Sequence, residues 1–189
     1  MVKTFREIQE LLQRLQTDTA YQQALDAALK TMIRALKNGN KILWCGNGGS
    51  AAQCQHLSAE LVARLRYTRP ALASLALTAD TAFLTAWVND NADSRHLFSR
   101  QIEALGNSGD VLVAISTSGN SPNILSALES AREKGMNSVL LSGKGGGRAA
   151  GLADLVLIVP SECTQRIQEI HIMTGHYVCE KIEDAFRSA

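Results

Sequence analysis

Between Thr4 and Gln16 the apolar residues Phe5, Ile8, Leu11, Leu12 and Leu15 recur at three- and four-residue spacing, which predicts an amphipathic helix with a narrow apolar stripe. A second stripe (Leu25, Ala28, Leu29, Met32, Ile33, Leu36) predicts a helix over Ala20–Lys37, stopped by Asn38-Gly39-Asn40. The period then changes. Short unbroken apolar runs predict buried strands at Lys41–Cys45, Ala73–Leu77, Val111–Ile115, Ser138–Leu141 and Leu155–Val159. Helical stretches alternate with them at Ala51–Leu65, Thr81–Trp87, His96–Leu105, Asn123–Lys134 and Thr164–Phe186. The polar run Asn89-Asp90-Asn91-Ala92-Asp93 reads as an exposed loop. Strands without polar alternation, separated by helices, predict an α/β fold in which a parallel sheet is covered on both faces. We expect one domain over residues 1–189. Residues 1–37 would be N-terminal helices, the first packing in a subunit interface, and residues 38–189 an αβα core.

Two turns carry the candidate chemistry. The first strand runs through Cys45-Gly46-Asn47-Gly48-Gly49-Ser50 into a helix. Its glycines permit positive φ and close backbone approach to a ligand, and a helix N-terminus favours an anion. An ordinary tight connection reads the same way, because the run matches neither G-x-G-x-x-G nor the P-loop. The third strand leads into Ser116-Thr117-Ser118-Gly119-Asn120-Ser121 and then Pro122, with Ser121 placed as an N-cap and Pro122 at the first helical position. Clustered hydroxyls and N–H groups at a helix start can hold a phosphate without a lysine, although serine and glycine are also the commonest turn residues. In a doubly wound sheet of order 2-1-3-4-5, both turns fall at the carboxyl ends of strands flanking the topological switch point, where ligands bind.

The helix after the first turn carries His56 and Glu60, four residues apart and so on one face, where a solvated helix pair is the ordinary outcome. In the terminal helix, Gln168 and His176 differ by about 80° around the axis, whereas His171 and His176 differ by about 140° and face apart. His171, between Ile170 and Ile172, suits a packed, hydrogen-bonded role. Gly175 in mid-helix costs about 1 kcal/mol against alanine, which points to close packing.

Composition narrows the partners. Nineteen basic and eighteen acidic residues leave a net charge of +1, without the basic excess of a nucleic-acid surface. The four cysteines lack paired C-x-x-C spacing and suit a reducing compartment. No signal-peptide core and no bilayer-length apolar run is present, so we expect a cytoplasmic protein without membrane or nucleic-acid partners.

Taken in order, the glycine turn, His56…Glu60, Asn89-Asp90, Ile115–Ser121 and Arg166-Ile167-Gln168-Glu169-Ile170-His171-Ile172 resemble the phosphoheptose isomerases of the sugar isomerase (SIS) domain superfamily, over nearly the whole chain. The resemblance implies a flavodoxin-like three-layer sandwich and a homotetramer with active sites between subunits. It also implies conversion of sedoheptulose 7-phosphate to glycero-manno-heptose 7-phosphate, the opening step toward the heptose of bacterial lipopolysaccharide. By the same likeness, Ser116, Thr117, Ser118 and Ser121 would bind phosphate, and Asn47, Gly48, Gly49, Asn89, Asp90, Glu60 and Gln168 the sugar. His56, Glu60, Gln168 and His176 would form the family's zinc site, with Glu60 and His176 as the acid–base pair. Two departures stand out. The family commonly reads Asn-Asp-Tyr/Phe-Gly where this chain has Asn89-Asp90-Asn91-Ala92-Asp93, and Gly175 replaces a usual aliphatic residue. The superfamily also holds a non-catalytic protein that binds the bacterial replication initiator, and sugar-phosphate sensors. The initiator-binding relative lacks the counterparts of Glu60 and His176.

Overall fold

In the computed structural model, which describes residues 2–91 and 93–187, helix α1 (Val2–Thr17) is followed directly by α2 (Thr19–Lys37). Asp18 makes the break, its carboxylate accepting the Tyr21 N–H at 3.0 Å as an N-cap. At the far end Gly39 takes φ of 79°, the left-handed turn that admits glycine without strain. The chain then enters β1 (Ile42–Gly46), buried at all five positions.

From there the order is α3 (Gly49–Val62), β2 (Ser74–Ala76), α4 (Thr81–Asp90), α5 (Ser99–Leu105), β3 (Val111–Ser116), α6 (Pro122–Glu133), β4 (Asn137–Ser142), β5 (Leu155–Ile158) and α7 (Thr164–Ala185). The five strands form one sheet in the order β2-β1-β3-β4-β5, parallel throughout, as the unbroken apolar runs predict. Alternate strand residues serve two cores. Ile42, Trp44, Val113 and Leu141 pack with α2, α3 and α7 on one face. Leu43, Cys45, Leu112 and Leu140 pack with α5 and α6 on the other. Among the described residues no helix is long and apolar enough to cross a membrane.

Several predicted boundaries differ, among them the start of α5, at Ser99 rather than His96. Helix α4 continues through Asn89 and Asp90, which the polar run had placed in a loop. The Asn91 N–H bonds to the Trp87 carbonyl at 2.9 Å and its side-chain amide to the same oxygen at 3.1 Å, closing the last turn only there. Ala92 of the expected loop lies outside the described residues. Helix α3 stops at Val62 rather than Leu65, because Arg69 bonds the carbonyls of Glu60 and Leu61 at its end, and Glu183 of α7 accepts the N–H groups of Leu65, Arg66 and Tyr67. Helix α1 buries Leu11 and Leu15 while Phe5 stays 62% exposed.

Candidate active site

The carboxyl ends of β1 and β3 open into a pocket of about 220 Å³ lined by Asn47, Ser50, Ser116, Thr117, Ser121 and Gln168, together with Ile115 and Thr164. Gly48 enters α3 at φ 55°, a conformation that β-carbons resist. A β-carbon on Gly49 would come within 2.7 Å of Gln168 Nε2, so this glycine is what admits the glutamine from α7. Asn47 is held by a reciprocal amide pair with Asn123 of α6, 2.9 Å each way, which ties the two turns across the switch point.

In the serine turn, Ser116 Oγ accepts the Gly119 N–H at 3.2 Å. Ser121 occupies the N-cap of α6 but makes no side-chain capping bond, which leaves its hydroxyl for a ligand beside the helix N-terminus. Ser118 is outside the pocket lining and accepts the Asn120 N–H at 3.2 Å. Behind this turn lies a second glycine-rich segment. Gly119, at φ 61°, sits against the Gly146 carbonyl, and Asn120 Oδ1 accepts the Arg148 N–H at 3.0 Å. Asn89 and Asp90, exposed at the end of α4 and bonded to each other at 2.8 Å, do not line the pocket of their own chain.

Helices α3 and α7 bring together His56, Glu60 and His176, whose ligating atoms all lie within 4.8 Å of one another. His56 Nε2 is 2.8 Å from His176 Nε2 and 3.5 Å from Glu60 Oε1. Bonds of about 2.0–2.1 Å in a tetrahedral zinc site put neighbouring donors about 3.3–3.4 Å apart, so these two imidazoles and one carboxylate fit such an ion in donor type, with the His56–Glu60 separation close to that spacing and the two imidazole nitrogens, at hydrogen-bond distance, needing to part by about 0.5 Å. Gln168, about 12 Å earlier along the α7 axis, lines the hydroxyl pocket.

Sequence reasoning passed over Ser50, Thr164 and Asn123. The first two bear hydroxyls at helix starts, a signal available in the sequence. Asn123 had none, because its partner is 76 positions away.

His171 is fully buried, and its Nε2–H donates to the Ser142 carbonyl at 3.1 Å, while the Ser142 hydroxyl donates to the Ser116 carbonyl at 2.7 Å. Burial pushes its pKa down from 6.5 to about 4, partly offset by the Ser142 bond. The folded state therefore holds the neutral ring while the unfolded chain takes up a proton near pH 6.5. The contribution to stability is complete above that pH and is lost as pH falls toward 4. Urea unfolding from pH 7 to pH 4 should accordingly show wild type losing about 3 kcal/mol more than His171→Gln. Equal losses would assign the acid sensitivity to other groups.

Residues 4–143 match the SIS domain family. The chain is 52% identical over 167 residues to the phosphoheptose isomerase of Paramagnetospirillum magneticum, covering 88% of this chain and 86% of that one. It is 46% identical over 184 residues to the phosphoheptose isomerase of Aliarcobacter butzleri, covering 97% and 96%. The chain belongs to the phosphoheptose isomerase family. As a member it is an enzyme of the sugar-phosphate isomerase class. The solved phosphoheptose isomerase GmhA from Neisseria gonorrhoeae superposes on it with a TM-score of 0.88 at 41% identity, covering 97% of this chain and 96% of that one. The sugar isomerase domain of an RpiR transcription factor from Sphaerobacter thermophilus superposes with a TM-score of 0.67 at 19% identity, a likeness of fold alone. The phosphoheptose isomerase fold therefore reaches this chain together with close sequence similarity, and the transcription factor's fold without it.

Proposed function

We propose that this isomerase interconverts sedoheptulose 7-phosphate and glycero-manno-heptose 7-phosphate, supplying the heptose of lipopolysaccharide in a reducing cytoplasm. The observation that carries this reading is the convergence of Glu60 with His176 beside His56, a carboxylate and imidazoles of the kind that proton transfer between carbons requires. Aldose–ketose exchange moves a proton between adjacent carbons through an enediol and needs a positioned base and acid. Glu60 takes the carbon-bound proton and His176 serves the oxygen. Ser116, Thr117 and Ser121 hold the phosphate at the α6 N-terminus, with Ser118 shaping the turn, while Asn47, Gly48, Gly49 and Gln168 face the sugar. His56, Glu60 and His176 would hold zinc, which when bound supplies Lewis-acid polarisation of the carbonyl.

A homotetramer with sites between subunits completes the proposal. Helix α4 buries none of its residues within the chain although Phe83, Leu84, Trp87 and Val88 are apolar, and Val88 is 55% exposed. Packed against a neighbour, α4 would carry Asn89 and Asp90 to the neighbour's pocket.

Incubating the purified protein with sedoheptulose 7-phosphate in deuterium oxide tests the reading. The aldose should accumulate with deuterium at the carbon next to the carbonyl. Ser121→Ala should weaken binding by about 10–150-fold, the worth of one hydrogen bond to a charged group. Binding of the sugar phosphate without turnover would transfer the chain to the sensor class.

A further inference from the structure

Two charged side chains with no solvent exposure join the helices that carry Glu60 and His176. Arg69 and Glu183 approach to 3.5 Å, Nε to Oε1, and their side chains are 0% exposed. That approach is an ion pair without a hydrogen bond, since the buried Arg69 Nε has no hydrogen-bond partner, and the hydrogen bonds of the pair go to backbone. Arg69 Nη2 donates to the carbonyl of Glu60 itself at 2.8 Å, and Nη1 to those of Leu61 at 2.8 Å and Pro70 at 3.0 Å. Glu183 Oε1 accepts the Leu65 N–H at 2.9 Å, while Oε2 accepts those of Arg66 at 2.7 Å and Tyr67 at 3.2 Å.

The placement on α7 is specific. Glu183 follows His176 by seven residues, two turns or about 10.5 Å along the axis and within about 20° of the same face. At the opposite end of the α3–α7 contact, Gln53 Nε2 donates to the Gln168 carbonyl at 2.8 Å. His56, Glu60 and His176 thus lie between two polar pins. Between those pins Leu57 packs against Gly175, the Cys179 thiol donates to the Leu57 carbonyl at 3.7 Å, and the remaining polar contact is the His56–His176 pair itself. A buried ion pair is a poor source of net stability, since desolvation offsets its attraction and packed apolar side chains would often do as well. What it adds is direction: a planar fork of donors and two acceptor oxygens define where one helix end sits on the other.

We infer that Arg69 and Glu183 are positioning residues that set the separation and rotation of α3 against α7, holding Glu60 and His176 in reach of each other. The inference rests on the reading of His56, Glu60 and His176 as the reacting centre. Displacement of a reacting group by about 1 Å can cost about 10²-fold in rate.

Two variants of the full chain, Glu183→Gln and Arg69→Lys, test it with two readouts. Steady-state kinetics with sedoheptulose 7-phosphate should show kcat reduced about 10–100-fold with KM within about two-fold of wild type, because the serine turn belongs to other elements. Imidazole nitrogen NMR of chelator-treated protein should show the His56–His176 hydrogen bond of wild type lost or weakened. A folded variant with wild-type kcat and wild-type imidazole signals would overturn the inference. So would KM rising in step with the fall in kcat, which marks general loosening, or failure of both variants to fold, which assigns the pair to the fold at large. An inactive wild type would sink the proposed reaction, yet the imidazole signals would still decide whether Arg69 and Glu183 position the cluster.

Discussion

Glu60→Gln and His176→Asn are each expected to reduce turnover of the sugar phosphate by about 10²–10⁴-fold, the usual worth of a positioned acid or base. Glutamine keeps the length of Glu60 but cannot accept the carbon-bound proton. Asparagine keeps polarity at His176 but cannot exchange a proton with the substrate oxygen. Binding should survive in both, because Ser116, Thr117 and Ser121 stand on β3 and the start of α6, apart from the two helices that carry the substitutions. Initial rates with calorimetric titration of the sugar phosphate separate the two quantities. Exchange of substrate hydrogen with solvent should vanish in Glu60→Gln, since that step precedes every later one. Near-normal rates in both variants would remove these residues from the chemistry. Loss of rate with loss of the folded state would make them structural.

The second large effect comes from a residue that touches no substrate. Gly119→Ala is expected to destabilise the protein by about 3–5 kcal/mol, combining a positive φ that alanine resists with overlap against backbone. The new methyl group would run into the Gly146 carbonyl, and backbone has little freedom to retreat. Gly145→Ala is the matched control, because Gly145 also has positive φ, 72°, but its β-carbon would meet nothing within 4 Å. Its cost should stay near the conformational part alone, about 1–2 kcal/mol. Urea unfolding of the two variants measures the difference. In Gly119→Ala any protein that remains folded should also bind sugar phosphate more weakly, since Ser116 and Ser121 flank the displaced residue. Equal costs would show that the serine turn does not lean on the Gly143–Gly147 segment.

Much of the scaffold was legible because its signals are local. Five unbroken apolar runs became the five strands, and the stripe periods marked the helices. His171 and Gly175 read correctly from their surroundings: the first is buried and hydrogen-bonded, and the second leaves no room for a side chain against Leu57. The errors also have local causes. Asn89 and Asp90 have loop composition, but capping at Asn91 carries the helix past them. Ser118 and Ser121 look alike in sequence, and only the geometry of the turn puts one outside the pocket lining and the other within it. What could not be read was every pairing across long separations. Asn47 with Asn123, Gln53 with Gln168 and Arg69 with Glu183 each join segments whose composition gives no hint of a partner. The family resemblance supplied the proposed roles of Glu60 and His176, which residue spacing alone left open.

The strand order also governs how the molecule comes into being. Ile42 pairs with Val111, so the two central strands must find each other across about 70 residues of intervening chain, a closure that slows folding. Until β3 arrives, β1 has one flank open, and all five of its residues are ones the native state hides from water. A nascent or unfolded chain therefore carries a sticky central edge, and rapid dilution from denaturant at high protein concentration should yield aggregate in competition with native protein.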